Sequence, residues 1–414
     1  MWEQIAANRR KSFMLVVATA LLLMALGYAF GEYFGGRGYG PYGVAVAAVV
    51  WLVMTLFSWF QGDQVMLAVS GAQKVKKEDL PVLFNVVEEM TLAAGLPKMP
   101  DVYVIDDPAP NAFATGRRPE TAAVAVTSGL LRRLNRDELQ GVIAHEIGHI
   151  RNRDIQLMLF AGVLAGAIVI LAEVGLRGMW FGGGRSRSRR SGGGDSAGII
   201  AVIAVLLAIL APLLARLIYL AISRKREYLA DASSAVFTRY PEGLASALEK
   251  IASSPQKLAH ANRATAPMYI VNPLARAGEM AAKATATHPP IAERIKVLRS
   301  MAGADFRSYQ ESFRQATGKK GVIPPSALKD DGGAGLRPGS AGVAGAAGSS
   351  GEAGGIREPQ ASQRTLARQV DDFFYRKGGY KRIPCTCGTV LKIPPDFKSS
   401  QATCPRCGKV HGVA

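Results

Sequence analysis

Residues Leu134–Asp154 read LNRDELQGVIAHEIGHIRNRD, and the fold turns on how this stretch is read. Asn135 followed three residues later by Glu138 is a capping-box pattern, so a helix is expected to open here. Within it His145 and His149 are four residues apart, which puts both imidazoles on one helical face, able to chelate a single zinc ion. Glu146 then stands beside the metal, placed to take a proton from bound water. The flanking Ile143 and Ile147 argue for a buried helix rather than two surface histidines one turn apart. A catalytic zinc site uses three protein ligands and keeps one position open. Spacing alone leaves His260, His288, Glu227 and Asp231 as candidates for the third. Glu227 and Asp231 are also four apart, so both can face one point, one as ligand and the other orienting a histidine ring from behind.

On either side of this helix lie long apolar runs: Phe13–Phe30, Val44–Phe60, Ile155–Leu176 and Ile199–Ile222. Each is near the ~20 residues that a helix needs to cross a bilayer. Arg9, Arg10 and Lys11 precede the first run, and no small-residue cleavage site follows it, so it is expected to be retained as a span. Lys74, Lys76 and Lys77 follow the second run, Arg151 and Arg153 precede the third, and Arg224, Lys225 and Arg226 follow the fourth. By the positive-inside rule the N-terminus, residues 61–154 and everything after 223 lie in the cytoplasm. The chain is expected in the cell inner (cytoplasmic) membrane as a multi-pass protein with its active site facing the cytoplasm. The Arg-bearing loop Arg177–Ala197 falls on the opposite side. Either it crosses despite its charge, or the last two helices form a hairpin that does not fully span.

Composition agrees with this layout. The 414 residues are 49% hydrophobic, and 50 Lys+Arg against 32 Asp+Glu give +18. That charge would suggest nucleic acid or an anionic surface, but many of the basic residues flank apolar runs. Collagen, coiled coil, a wholly disordered chain and a small disulfide scaffold are excluded, the last because all four Cys lie after residue 384.

Between the second and third runs the chain reads as α/β. Leu80–Ala94 is helical in period and closes on Gly95 and Pro97, and Asp101–Ile105 and Thr121–Thr127 read as short strands. Thr121–Thr127 alternates Ala with Val and lacks charge, so it reads either as an edge strand with which a substrate backbone could pair or as an ordinary internal strand. Asn111 is a candidate donor to substrate. Beyond the fourth run, Arg224–Tyr240, Glu242–Ala252 and His288–Met301 look helical. The domains are therefore two membrane helices (1–60), the first part of the domain that carries the HEIGH helix (61–154), a membrane or membrane-embedded hairpin (155–222), the second part of that domain (223–315), a Gly/Ala/Ser-rich linker (316–356) and a tail (357–414).

In the tail, Cys385 and Cys387, then Cys404 and Cys407, form two Cys–Gly knuckles separated by 16 residues. Such knuckles read as a zinc ribbon with a structural zinc, although the first pair is CxC rather than CxxC. His411 is a spare ligand. The linker's composition suggests a ribbon tethered to the catalytic domain without being built into it.

From Gly71 to about Leu298 the chain resembles the HtpX-type membrane zinc metalloproteases, relatives of the CAAX prenyl endopeptidases. The resemblance is carried by VYVIDDPAPNAFATG (Val102–Gly116), AVAVTSGLL, LNRDELQGVIAHEIGHIRNRD, SRKREYLAD and HPPIAER. It implies a multi-pass α-helical membrane protein with an α+β zincin-like metalloprotease domain, to which the chain adds a small C-terminal zinc ribbon. It further implies His145, His149 and Glu227 as zinc ligands, Glu146 as catalytic base, Asp231 and Asp154 as supports behind the ligands, and His288 as an oxyanion stabiliser. Arg294 looks structural. Two Zn2+ ions follow, one catalytic and one structural, with membrane-protein substrates and membrane lipid as partners. The expected activity is endopeptidase quality control of misfolded membrane proteins. A prenyl-protein endopeptidase is the alternative by kinship, opposed by four rather than more spans. An inactive scaffold would show a broken ligand set, and all four residues are present. Zinc ribbons bind nucleic acid, protein or nothing, and the tail has no basic–aromatic interleaving strong enough to choose. A nucleic-acid-binding membrane protein is a rival that would show salt-dependent binding, and no nucleic acid partner is expected.

Overall fold

In the computed structural model of the chain, the residues described are 2–155, 224–259, 268–271, 288–329, 335–337 and 359–413. The first two apolar runs lie inside longer helices, α1 (Trp2–Gly35) and α2 (Gly40–Val69). Both contain segments long and apolar enough to cross a membrane. They form a hairpin whose tight turn is capped by Glu32, whose carboxylate accepts from the Gly38 and Gly40 N–H groups at 3.1 and 2.9 Å. Glycine is required where the helices cross, since a Cβ on Gly43 would collide with the carbonyl of Gly27. Phe13, Leu21, Val46, Val49, Phe57 and Phe60 are exposed on this pair, an apolar surface suited to lipid. Of the third and fourth runs, only Ile155 lies within the described residues.

α2 does not stop at the end of its apolar run. It passes through Gln61–Gln64 and buries Met66 and Leu67 under a four-stranded sheet. The strands are β1 (Ala72–Lys74), β2 (Asp101–Ile105), β3 (Ala112–Thr115) and β4 (Ala123–Thr127), in the order β1-β2-β4-β3. β2 and β4 are parallel, and the two outer pairings are antiparallel. Side chains alternate between the faces, as the period of two demands. Val102, Val104, Val124 and Val126 face the main core, whereas Ile105, Phe113 and Ala125 meet Met66, Leu67 and Tyr269.

This order decides between the edge and internal readings of Thr121–Thr127 in favour of the internal one. Thr121–Thr127 is not at the edge: Pro119–Thr121 is a 3-10 turn, and β4 is ladder-bonded on both sides. Burial of β4 on both faces accounts for its uncharged Ala/Val sequence. β3 holds the edge.

The main core packs α3 (Pro81–Ala94), α4 (Ser128–Arg133) and α5 (Arg136–Arg151) on one face of the sheet. Both bonds of the capping box at Asn135 are made. Residues 224–238 form α6, followed by α7 (Pro241–Ala252), α8 (Ile291–Arg299), α9 (Phe306–Thr317) and α10 (Pro325–Lys329). Residues 318–329 are therefore folded rather than linker, with Ile323 and Ala327 in the core.

The tail is not held by a free tether. α11 (Pro359–Lys377) puts Leu366, Val370 and Phe373 into the same core as α5. The Gln363 amide donates to the carbonyls of Arg132 and Arg133 at 3.0 and 2.9 Å, and Arg132 pairs with Asp371. Arg136 N–H donates to Ser362 Oγ at 3.2 Å, and Arg337 pairs with Asp137 at 2.9 Å. The expected independent ribbon is thus corrected: burial of α11 outweighs whatever freedom the linker's composition allows. Two hairpins follow α11 directly, β5–β6 (Lys381–Pro384, Val390–Ile393) and β7–β8 (Gln401–Thr403, Val410–Gly412). They are tied to α11 through Arg382 and Lys392, both paired with Asp372.

Candidate active site

The site forms where α5 and α6 approach. Gly148 permits that approach: a Cβ there would stand 3.1 Å from Ser233 Cβ on α6. Arg226 at the start of α6 donates to the Asp154 carbonyl at 2.8 Å, tying α6 to the end of α5. Glu227, one residue on, then faces both histidines. The His145 and His149 Nε2 atoms are 3.1 Å apart, and each lies 3.7 or 3.6 Å from a Glu227 carboxylate oxygen. A tetrahedral zinc with bonds of 2.0–2.1 Å separates its ligand atoms by roughly 3.3 Å. The three side chains therefore fit a zinc ion.

The far side of each ring is fixed by a carboxylate. Asp231 lies 3.0 Å from His145 Nδ1, and Asp154 lies 3.2 Å from His149 Nδ1. Proton donation from Nδ1 to these carboxylates turns both Nε2 lone pairs toward Glu227. Asp231 is in turn held by the fully buried Arg294, at 2.6 and 2.8 Å. Arg294 Nη1 also lies 3.6 Å from Glu227 Oε2 and donates to the Ile270 carbonyl at 3.1 Å.

Sequence reading took Arg294 as structural and gave it no place beside the ligands. Its signal was its helix, α8, which opens two residues after His288-Pro289 and faces the cluster. His288 Nε2 lies 3.8 Å from Glu227 Oε2, at the rim of the cluster. His260 lies outside the described residues. Asn111 is buried, and its amide donates to the Val271 carbonyl at 2.8 Å.

Charge in this pocket is sharply divided. Burial pushes the Glu146 carboxyl up to about 8, and its Oε1 is buried with no hydrogen-bond partner. Burial would raise Glu227 too, but His288, His149 and Arg294 hold it below the usual carboxylate range. Burial pulls His145 down to about 4 against its bond to Asp231. Burial acts the same way on His149, yet the Asp154 carboxylate carries it up to about 9. For Asp231 burial is overcome by Arg294, which keeps it ionised. A largely buried pocket with an ionised carboxylate ligand, two imidazoles whose Nε2 atoms point toward it and a second carboxyl raised toward neutral pH can bind a cation, which displaces the proton that His149 otherwise carries, and move a proton beside it.

The second cluster is at the knuckles. Cys385 Sγ and Cys407 Sγ are 3.4 Å apart, and Cys387 Sγ and Cys404 Sγ 3.7 Å. Those distances exceed the ~2.05 Å of a disulfide and suit four thiolates around one zinc, whose bonds to sulfur are ~2.3 Å. His411 is not among the clustered ligand atoms.

Comparison with known proteins bears on the catalytic half of the chain. The model of Peptidase family M48 matches residues 80–302. The Protease HtpX homolog of Thermoanaerobacter pseudethanolicus is 48% identical over 301 residues, which are 73% of this chain and 98% of that protein. The Protease HtpX homolog of Dictyoglomus thermophilum is 46% identical over 300 residues, 72% of this chain and 94% of that protein. Among solved structures, that of S. mikatae Ste24p is 18% identical, covers 72% of this chain and 67% of its own, and has a TM-score of 0.38. The family match stops at residue 302, before α9, α11 and the knuckles.

Proposed function

Because the chain belongs to peptidase family M48, we propose that the cluster at α5 and α6 is the centre of a zinc-dependent membrane endopeptidase. The observation that carries this reading is the triangle of His145, His149 and Glu227 beside the Glu146 carboxylate, whose Oε1 is buried without a partner. Zinc in that triangle supplies Lewis-acid polarisation of the scissile carbonyl and lowers the pKa of the attacking water.

The chain's own residues do the rest. Glu146 accepts the water proton and passes it to the departing amine, a task suited to a carboxyl raised by burial toward neutral pH. Asp154 and Asp231 keep the histidine rings in the tautomer that binds metal. Arg294 keeps Asp231 charged. His288, at the rim, stabilises the developing oxyanion.

Substrates in this reading are membrane proteins, misfolded ones in particular, cut in cytoplasmic loops close to their spans. Lipid surrounds α1 and α2 in the cell inner membrane, and no nucleic acid is involved. A second, structural zinc sits in the Cys385–Cys387–Cys404–Cys407 cluster.

Glu146→Gln tests the central claim. It keeps the volume but cannot accept a proton, so turnover falls by about 10²–10⁴-fold while zinc stays bound. Near-normal turnover in that variant overturns the reading.

A further inference from the structure

The helix that carries both histidines, α5, closes on a bend with an uncommon occupant. Past Arg151 the Arg153 N–H donates to the Ile150 carbonyl at 3.1 Å, and the Asp154 N–H donates to the His149 carbonyl at 3.4 Å. These two bonds make a Schellman closure, which needs its middle residue in the left-handed region and usually has glycine there. Here that residue is Arg153, at a φ of 53°. Among the described residues Arg239 is the only other non-glycine residue with positive φ. The left-handed region crowds Cβ against the backbone, so a residue other than glycine stays there only where its surroundings hold it.

The bend has two products, and both are at Asp154. Its carboxylate is turned back onto the last turn of α5, 3.2 Å from His149 Nδ1. Its main-chain carbonyl accepts from Arg226 Nη1 at 2.8 Å, in the first turn of α6. Arg226 is buried and immediately precedes Glu227, whose Oε1 lies 3.6 Å from His149 Nε2. Asp154 thus meets two corners of the triangle, His149 through its side chain and Glu227 through its carbonyl and Arg226. It is fully buried, so water does not take over either bond. The His145 corner is held separately, by Asp231 and Arg294.

We propose that Arg153 and Arg226 are positioning residues for the metal. The left-handed backbone of Arg153 delivers Asp154 to both helices, and Arg226 uses the Asp154 carbonyl as the stop that sets Glu227 opposite His149. Zinc tolerates errors of only about 0.2 Å in its ligand distances, so two ligands from helices far apart in sequence need such a register. The proposal rests on the zinc triangle of the peptidase reading and adds the device that aligns two of its corners. It assigns the task to the conformation of Arg153 rather than to its charge, since that side chain is exposed.

The test uses the full chain in detergent micelles. Chelator competition measures zinc affinity, and the visible absorption of the cobalt-loaded protein reports ligand geometry. His149→Ala, left with the four-cysteine cluster, serves as the blank. Arg153→Gly and Arg153→Asn lack the charge but tolerate the left-handed region, so they are expected to keep the wild-type spectrum and zinc affinity within about threefold. Arg153→Val is β-branched and poorly suited to positive φ. It and Arg226→Met are each expected to weaken zinc binding by about 10–100-fold and to shift the cobalt bands. The double variant should cost little more than either change alone, because both act through Asp154.

Wild-type affinity and spectrum in Arg153→Val and Arg226→Met overturn the proposal. So does an equal loss in the Gly, Asn and Val variants, which would put the task in the charge. Casein cleavage by the wild type reports separately on the peptidase reading. Intact casein with the expected metal series overturns the peptidase alone, and cut casein with a flat metal series overturns the positioning device alone. Where Arg226→Met does not fold, the Arg153 series decides, because it changes an exposed side chain.

Discussion

The two metal-type clusters of this chain are built in opposite ways. At the catalytic cluster each ligand ring is backed by a carboxylate, and Asp231 is backed in turn by Arg294, with every one of these side chains but that of His149 fully buried. At the knuckles the cysteines are held by turn hydrogen bonds, such as Cys385 N–H to the Thr389 carbonyl and Cys404 N–H to the Lys409 carbonyl, and Cys407 is exposed. The local core there is small: Cys385, Leu391, Ile393, Ala402 and Cys404. The difference teaches which site the fold makes and which site the ion makes. The first is shaped by packing around it. The second has too little apolar burial to hold its shape alone.

Cys404→Ser should break the comparison most visibly. Structural zinc supplies about 10–16 kcal/mol in small finger peptides, so the β5–β8 hairpins should lose amide protection entirely. Bound zinc should fall from about two to about one per chain. α11 should keep its protection, because Leu366, Val370 and Phe373 hold it independently of the knuckles. Hydrogen exchange and metal analysis check both halves, and retention of two zinc ions would refute the four-cysteine site.

Arg294→Met addresses the opposite pole. It leaves the Asp231 carboxylate buried without its partner, which costs about 3–5 kcal/mol in unfolding free energy. The pH dependence follows from the same pair. Asp231 has a folded pKa below its unfolded value of about 3.9, so its contribution is fully present above that value. It is lost only as pH falls through the lower folded pKa. In denaturant melts the wild type should therefore keep this contribution at pH 5, and Arg294→Met should show its full deficit there.

A subtler effect belongs to Asp154→Asn. The amide no longer draws on the His149 Nδ1 proton as a charged acceptor, and zinc affinity should drop about 10–100-fold by competition with a chelator. The smallest effect is expected at Asp371→Ala. Its pair with Arg132 is more than a third exposed on both sides, so the loss should stay within about 1 kcal/mol. A larger loss would mean that α11 depends on that ion pair rather than on its apolar face.

Much of the catalytic centre was legible because it is local. The capping box at Asn135 and the four-residue repeat of His145 and His149 follow from helical geometry alone. Choosing Glu227 over Asp231 was not local. Both face the same point, and what separates them is Arg294, contributed from a helix more than sixty residues away and bound to Asp231. β3 was missed because Ala112–Thr115 is four residues long and carries no alternation. The place of β4 in the sheet stayed open because an uncharged Ala/Val run looks the same whether its neighbour is another strand or a substrate. The docking of α11 was written in Leu366, Val370 and Phe373, spaced four and then three apart, beside a linker whose composition drew attention away from them.

One detail of that docking has a biochemical consequence. Arg337 is pinned to Asp137 and Ser362 to Arg136, so the chain leaves and rejoins α5 at adjacent residues on its first turn. Residues 338–358 therefore join two points already held together by other contacts. A chain severed there should migrate as one particle on gel filtration, with the tail as a bound fragment. While the covalent join is intact, a tail that lets go finds its groove again at a local concentration on the order of millimolar. Once severed, the same groove must recapture it at the concentration of free fragment, so dilution alone should separate the two pieces.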